Sequence, residues 1–128
     1  MEFNGLRAEI TLGLRVGPQD SLVKKADVNR FLRDEVTRAK AAGERFLPVR
    51  VASAMLVYPA PSEHGQSEPA LVLSSDRNPR YNADLSDVEW VALVEALAQK
   101  LADRFGQARV YVTYQPAQVT IIEQGDGK

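Results

Sequence analysis

Two arginines, an asparagine, a proline and a tyrosine fall within five positions in the stretch RNPRY, Arg77 to Tyr81. Guanidinium forks can take a carboxylate or a phosphate bidentately. The free amides of a helix starting just downstream, at Ser86, would add positive potential. Arg77, Asn78, Arg80 and Tyr81 are therefore the candidate binding residues for a small anionic ligand. The same letters are also turn vocabulary, since Pro presets φ and Asn tolerates left-handed backbone. Asp76 and Asp84 stand close enough in sequence to pair with the arginines and close the loop on itself, which is the simpler reading.

His64, in PSEHGQS, is the single histidine of the chain. It joins the ligand-binding candidates as an acid/base group with Glu63 or Glu68 nearby, although one histidine among Gly, Ser and Pro also reads as plain loop. One histidine cannot build a multi-histidine metal site, and no cysteine is present to supply thiolates. Asp84, Asp87 and Glu89 cluster, but helix starts favour acidic residues in any case. There is no G-x-S-x-G, no G-x-x-x-x-G-K-[ST] and no G-x-G-x-x-G. No catalytic residue, metal or cofactor is assigned on these grounds.

Composition narrows the classes further. The chain has 128 residues, 45% hydrophobic and 26% charged, which suits one globular domain able to bury its own core. Sixteen basic residues balance 17 acidic ones, for a net charge of −1. A dedicated nucleic-acid binder needs a basic excess to neutralise phosphates, so this balance argues against that role. The segment FGQARVYVTY, 105–114, partly matches an RNA-recognition strand. It follows the second helix and so would be the last strand rather than the third, Gln107-Ala108 replaces the first aromatic pair, and the third strand, ALVLSS, has no aromatic. Missing cysteines fit a reducing compartment, and no apolar run approaches the about 20 residues of a membrane span. A soluble cytoplasmic protein without a signal peptide is expected.

The elements that would hold these residues follow from periodicity. In AEITLGLRV, 8–16, Ala8, Ile10, Leu12, Leu14 and Val16 alternate with Glu9, Thr11, Gly13 and Arg15, the pattern of a half-buried strand. Residues 26–43 read as an amphipathic helix, with Asp27 as N-cap and Gly43 just past its end. A second strand spans 46–59, followed by a polar loop at 60–69 and a short strand at 70–75. Ser86 with Glu89 forms a capping box, and the helix it starts runs to Gly106. A last strand occupies 108–124, where Pro116 marks an edge, a bulge or a break, and 117–123 either continues it or adds a short fifth strand.

This order, β-α-β-β-α-β, predicts a ferredoxin-like α+β fold: an antiparallel sheet with two helices on one face. One domain across 1–128 is expected, ordered over about 6–123, with a flexible tail at 124–128. The second strand is unusual because both of its faces are apolar or small from Val51 onward. Ala52, Ala54, Leu56 and Tyr58 would face away from the helices and are the expected interface of a homo-oligomer, a dimer in the first instance. The functional expectation is a self-associating binding or accessory module without intrinsic catalysis, taking a protein partner or a small anionic effector. The alternative is a small dimeric α+β-barrel enzyme with a pocket between helices and sheet, served by His64, Tyr81, Arg77 or Arg80.

Overall fold

A computed structural model describes residues 2–16, 21–59 and 63–125 of the chain. Alternation carries β1 from Glu2 to Gly13, sending Ala8, Ile10 and Leu12 into the core. A small hairpin of β2 (Arg15–Val16) and β3 (Ser21–Leu22) follows, then helix α1 (Lys25–Ala42). Next come β4 (Arg50–Val57) and β5 (Glu63–Asp76), then helix α2 (Asp87–Phe105) and β6 (Tyr111–Thr120). The long strands form one antiparallel sheet in the order β4-β5-β1-β6. The fold is thus α+β, a four-stranded antiparallel sheet with two helices, and the β2–β3 hairpin interrupts the simple alternation read from the sequence.

Both helices pack on the sheet face that carries Ile10, Leu12, Leu71 and Leu73. Val28 and Leu32 of α1 and Trp90, Val94, Leu101 and Phe105 of α2 complete this core. Phe31 meets Phe105 edge-to-face at 5.8 Å, joining the helices above the sheet. The Ser86–Glu89 capping box is fully formed: Ser86 Oγ accepts from the Glu89 amide, and the Glu89 carboxylate accepts from the Ser86 amide. Gly43 (φ 73°) and Gly106 (φ 65°) end the helices in the left-handed conformation.

Several boundaries differ from the sequence expectation. The N-cap of α1 is Lys24, without a side-chain capping bond, and Asp27 lies inside the first turn with its carboxylate 3.5 Å from Arg30. The strand expected from residue 46 begins at Arg50, because Phe46 and Pro48 give their carbonyls to the side chains of Asn82 and Ser75. The expected loop at 60–69 is largely strand: β5 starts at Glu63, and Val57↔Ser67, Leu56↔Glu68 and Met55↔Pro69 are in register. Turn-type side chains there are overridden by backbone pairing with β4. β6 runs unbroken through Pro116 to Thr120, on an edge of the sheet where a missing N–H is tolerated. Among the described residues no helix is long and apolar enough to cross a membrane.

Candidate active site

The sheet face turned away from the helices carries the alternate residues of each strand. On β5 these are Glu68, Ala70, Val72, Ser74 and Asp76, and opposite the last four in register stand Gly13, Thr11, Glu9 and Arg7 of β1. Arg50, Ala52, Ala54 and Leu56 of β4 flank them on the other side. Two carboxylates thus share one strand and one face, and their surroundings differ sharply.

Asp76, with its side chain 10% exposed, is compensated by two arginines. Arg7 donates from Nε at 2.7 Å, and Arg50 from a terminal nitrogen at 3.3 Å. Burial pushes the Asp76 carboxyl up, but the Arg7 hydrogen bonds and the two positive charges outweigh it and hold it below its usual range.

Glu68 is 4% exposed and has no basic partner among the described residues. Its Oε1 accepts from the Tyr58 hydroxyl at 2.6 Å, and its Oε2 from the Arg15 backbone amide at 3.2 Å. Both donors are neutral. Around it lie Ala70, 1% exposed, the partly buried Ala54 and Leu56, and Gly13. Gly13 leaves room for the carboxylate where it stands: a Cβ there would lie 2.7 Å from Glu68 Oε2. A buried carboxylate met only by neutral donors has no counter-ion among the described residues, an arrangement that favours a cationic ligand over an anionic one.

The chain organises this pair through the β4–β5 hairpin. Leu56 is directly opposite Glu68, so Tyr58, two residues on, reaches it diagonally across the ladder. On the other side the carbonyl of Pro69 accepts from the Leu14 amide, and Gln107 at the end of α2 donates through Nε2 to the Arg15 carbonyl at 3.0 Å. Three elements therefore fix the two groups that touch Glu68.

The structure separates the candidate residues read from the sequence. Arg77 is buried and turned inward: it pairs with Asp87 at 2.7 Å and donates to the Leu85 carbonyl at 3.2 Å. Arg80 is exposed, 3.7 Å from Glu123. Neither meets Asp76 or Asp84; Asp84 pairs with Arg45. Asn78 closes the turn by accepting from the amides of Arg80 and Tyr81, and Tyr81 leans on Phe46. His64 has its backbone in β5, and its side chain lies outside the described residues. Of the four expected interface residues, Ala52, Ala54, Leu56 and Tyr58 do share the face away from the helices, and Tyr58 belongs to the Glu68 pair. Sequence reasoning had Glu68 only as a neighbour of His64, and Gly13 and Arg15 only as the wet side of a strand. The missing signal was the hairpin register, which sets Tyr58 and Glu68 on one face.

A cavity of about 250 Å³ lies on the helix side, between α1, α2 and residues 44–47. Its walls are apolar, with Leu32, Val36, Leu93 and Leu97, and Glu35, Arg38 and Lys100 at its mouth are paired with one another. None of Tyr81, Arg77 and Arg80 lines it. Among the described residues no group of three or more acidic or histidine side chains is set to hold a metal.

No family model and no curated protein matches the chain. Two solved structures are similar to it. One is a phage SAM lyase in complex with S-methyl-5'-thioadenosine, 24% identical, with a TM-score of 0.63 over 91% of this chain and 90% of that one. The other is a phage SAM lyase in its apo state, 21% identical, with a TM-score of 0.63 over 95% and 94%. The likeness shows a shared fold along nearly the whole length of both chains. It corrects the expectation of a binding module without intrinsic catalysis. Both of these solved structures are of lyases, and the small-enzyme alternative is the reading they favour over the binding module.

Proposed function

We propose that this chain is an enzyme that cleaves a sulfonium nucleoside of the S-adenosylmethionine type, releasing S-methyl-5'-thioadenosine. The observation that carries the reading is Glu68, a buried carboxylate with neutral donors only, on a fold shared with phage SAM lyases. A sulfonium is a permanent cation that needs such a counter-charge. An oxygen of the substrate's own α-carboxylate forms the new bond to the methionine γ-carbon and closes a five-membered lactone, while the electron pair of the breaking sulfur–carbon bond becomes a lone pair on sulfur and the thioether leaves uncharged. Small apolar neighbours such as Ala54, Leu56 and Ala70 solvate a cation poorly, so they favour the step in which the charge disappears. Glu68 holds the sulfonium in this reading, and Tyr58 fixes the carboxylate's direction. The strand order β4-β5-β1-β6 supports a ferredoxin-like description of the scaffold, with β2–β3 as an insertion.

The test is direct: purified protein is incubated with S-adenosylmethionine and S-methyl-5'-thioadenosine is measured chromatographically. Release above the buffer rate, lost in Glu68→Gln, supports the proposal. No release from pH 6 to 9 at micromolar enzyme overturns it. Self-association through the same face belongs to this reading, with a second copy covering Ala52, Ala54 and Leu56. The β4–β5 arm is apolar on its other side too, where Met55 is 59% and Val57 75% exposed. Light scattering giving a 14.1 kDa particle at micromolar concentration would remove that part.

A further inference from the structure

Arg15 stands beside Glu68 without pairing with it. Leu12 and Leu14 both point into the core, so alternation puts Gly13 and Arg15 on the face where Glu68 lies. The Arg15 backbone is fixed by the Glu68 carboxylate at its amide, by Gln107 at its carbonyl, and by pairing with Leu22. Its guanidinium is treated differently. Nε is buried with no hydrogen-bond partner, and the group makes no ion pair with any described carboxylate. Every other arginine pointing to this face is engaged: Arg7 and Arg50 hold Asp76. A buried donor left without an acceptor is costly and calls for an explanation.

We infer that Arg15 receives the α-carboxylate of the amino-acid portion of the substrate. The inference rests on the sulfonium reading above and adds a second anchor to it. The substrate offers a cation and an anion separated by a short carbon chain. The site offers the complementary pair, the Glu68 carboxylate and the Arg15 guanidinium, joined through one residue's backbone amide. A guanidinium fork matches a carboxylate with two parallel N–H···O bonds, which a lysine cannot reproduce. Arg15 is thus the residue that separates an amino-acid-bearing nucleoside from the bare thioether product.

Isothermal titration with two uncleaved ligands tests this. Sinefungin carries the α-carboxylate and an amine in place of the sulfonium, whereas S-methyl-5'-thioadenosine carries neither. Arg15→Ala is expected to weaken sinefungin roughly 10- to 100-fold and to leave the thioether within about twofold. Arg15→Lys should recover part of the loss, and the melting temperature should stay put in both variants. Equal weakening of both ligands would assign Arg15 a structural role and overturn the inference. Unchanged sinefungin binding would overturn it alone, leaving the sulfonium reading intact. If the wild-type protein binds neither ligand, the sulfonium reading fails and this inference falls with it.

Discussion

The Tyr58 hydroxyl donates to Glu68 Oε1 at 2.6 Å across the β4–β5 hairpin, and that bond organises the chemistry of the open sheet face. Glu68→Gln keeps the shape and removes the charge. Turnover of S-adenosylmethionine should drop about a hundredfold or more, the scale of losing one partner of a buried charge pair. Because a costly buried charge is also removed, the melting temperature should hold or rise. Tyr58→Phe leaves Glu68 short of a donor, and both turnover and stability should fall, the latter by about 1–3 kcal/mol. A fully active Glu68→Gln would sink the assignment.

Gly13→Ala separates site from scaffold. The new Cβ would meet Glu68 Oε2 at 2.7 Å, and the carboxylate end of a side chain is what must move. The fold gives way cheaply there, so unfolding in urea should change by under about 1 kcal/mol. Activity should drop at least tenfold on the same preparation, since a misplacement of about 1 Å can cost a hundredfold. Parallel losses in both measurements would show that Gly13 serves packing alone.

The two arginines of the 77–81 turn should behave unlike each other. Arg77→Ala removes the partner of Asp87 and of the Leu85 carbonyl at the start of α2. A loss of about 1–3 kcal/mol is expected, read as a fall of several degrees in melting temperature. Arg80→Ala touches an exposed contact with Glu123 and should be nearly silent. A melting curve for Arg80→Ala as low as that of Arg77→Ala would contradict this division.

Acid stability depends on the contact between the helices. Hydrogen bonds from Arg38 and then Lys100 bring the Glu35 carboxyl from its ordinary 4.5 to about 2. Lys100 Nζ reaches it from α2 at 2.6 Å. A carboxyl lowered in the folded state adds stability above its ordinary value, and that stability is lost as pH falls through the folded value. Lys100→Met raises the folded value, so its acid transition by circular dichroism should begin at higher pH than the wild type's. Superimposable titrations between pH 5 and 1.5 would refute the link.

Local rules were legible wherever neighbours in sequence are neighbours in space. Ser86 and Glu89, Gly43 and Gly106, and the alternation of Ala8 to Leu14 each carry their structure within a few residues. Boundaries set by distant pairing were not. Strand β1 reaches back to Glu2 because β6 runs alongside it, Glu2 opposite Thr120. Residues 63–69 look like loop yet pair with β4. The arginines of the turn drew attention by their density, but half of that charge is spent on starting α2. Glu68 sits between Ser67 and Pro69 in a segment with no motif, and its meaning depends on Tyr58 ten residues away and Arg15 fifty-three residues away. Chemistry assembled from a hairpin register and a remote amide leaves no spacing to read.

Gln107, one residue past the left-handed Gly106, ties the last turn of α2 to the Arg15 carbonyl. Helix ends are the first parts of a fold to open. Fraying at Phe105–Gln107 would therefore slacken the strand that presents an amide to Glu68 while the core around Trp90 and Leu12 stayed shut. Warmth would disarm this protein before it unfolded it.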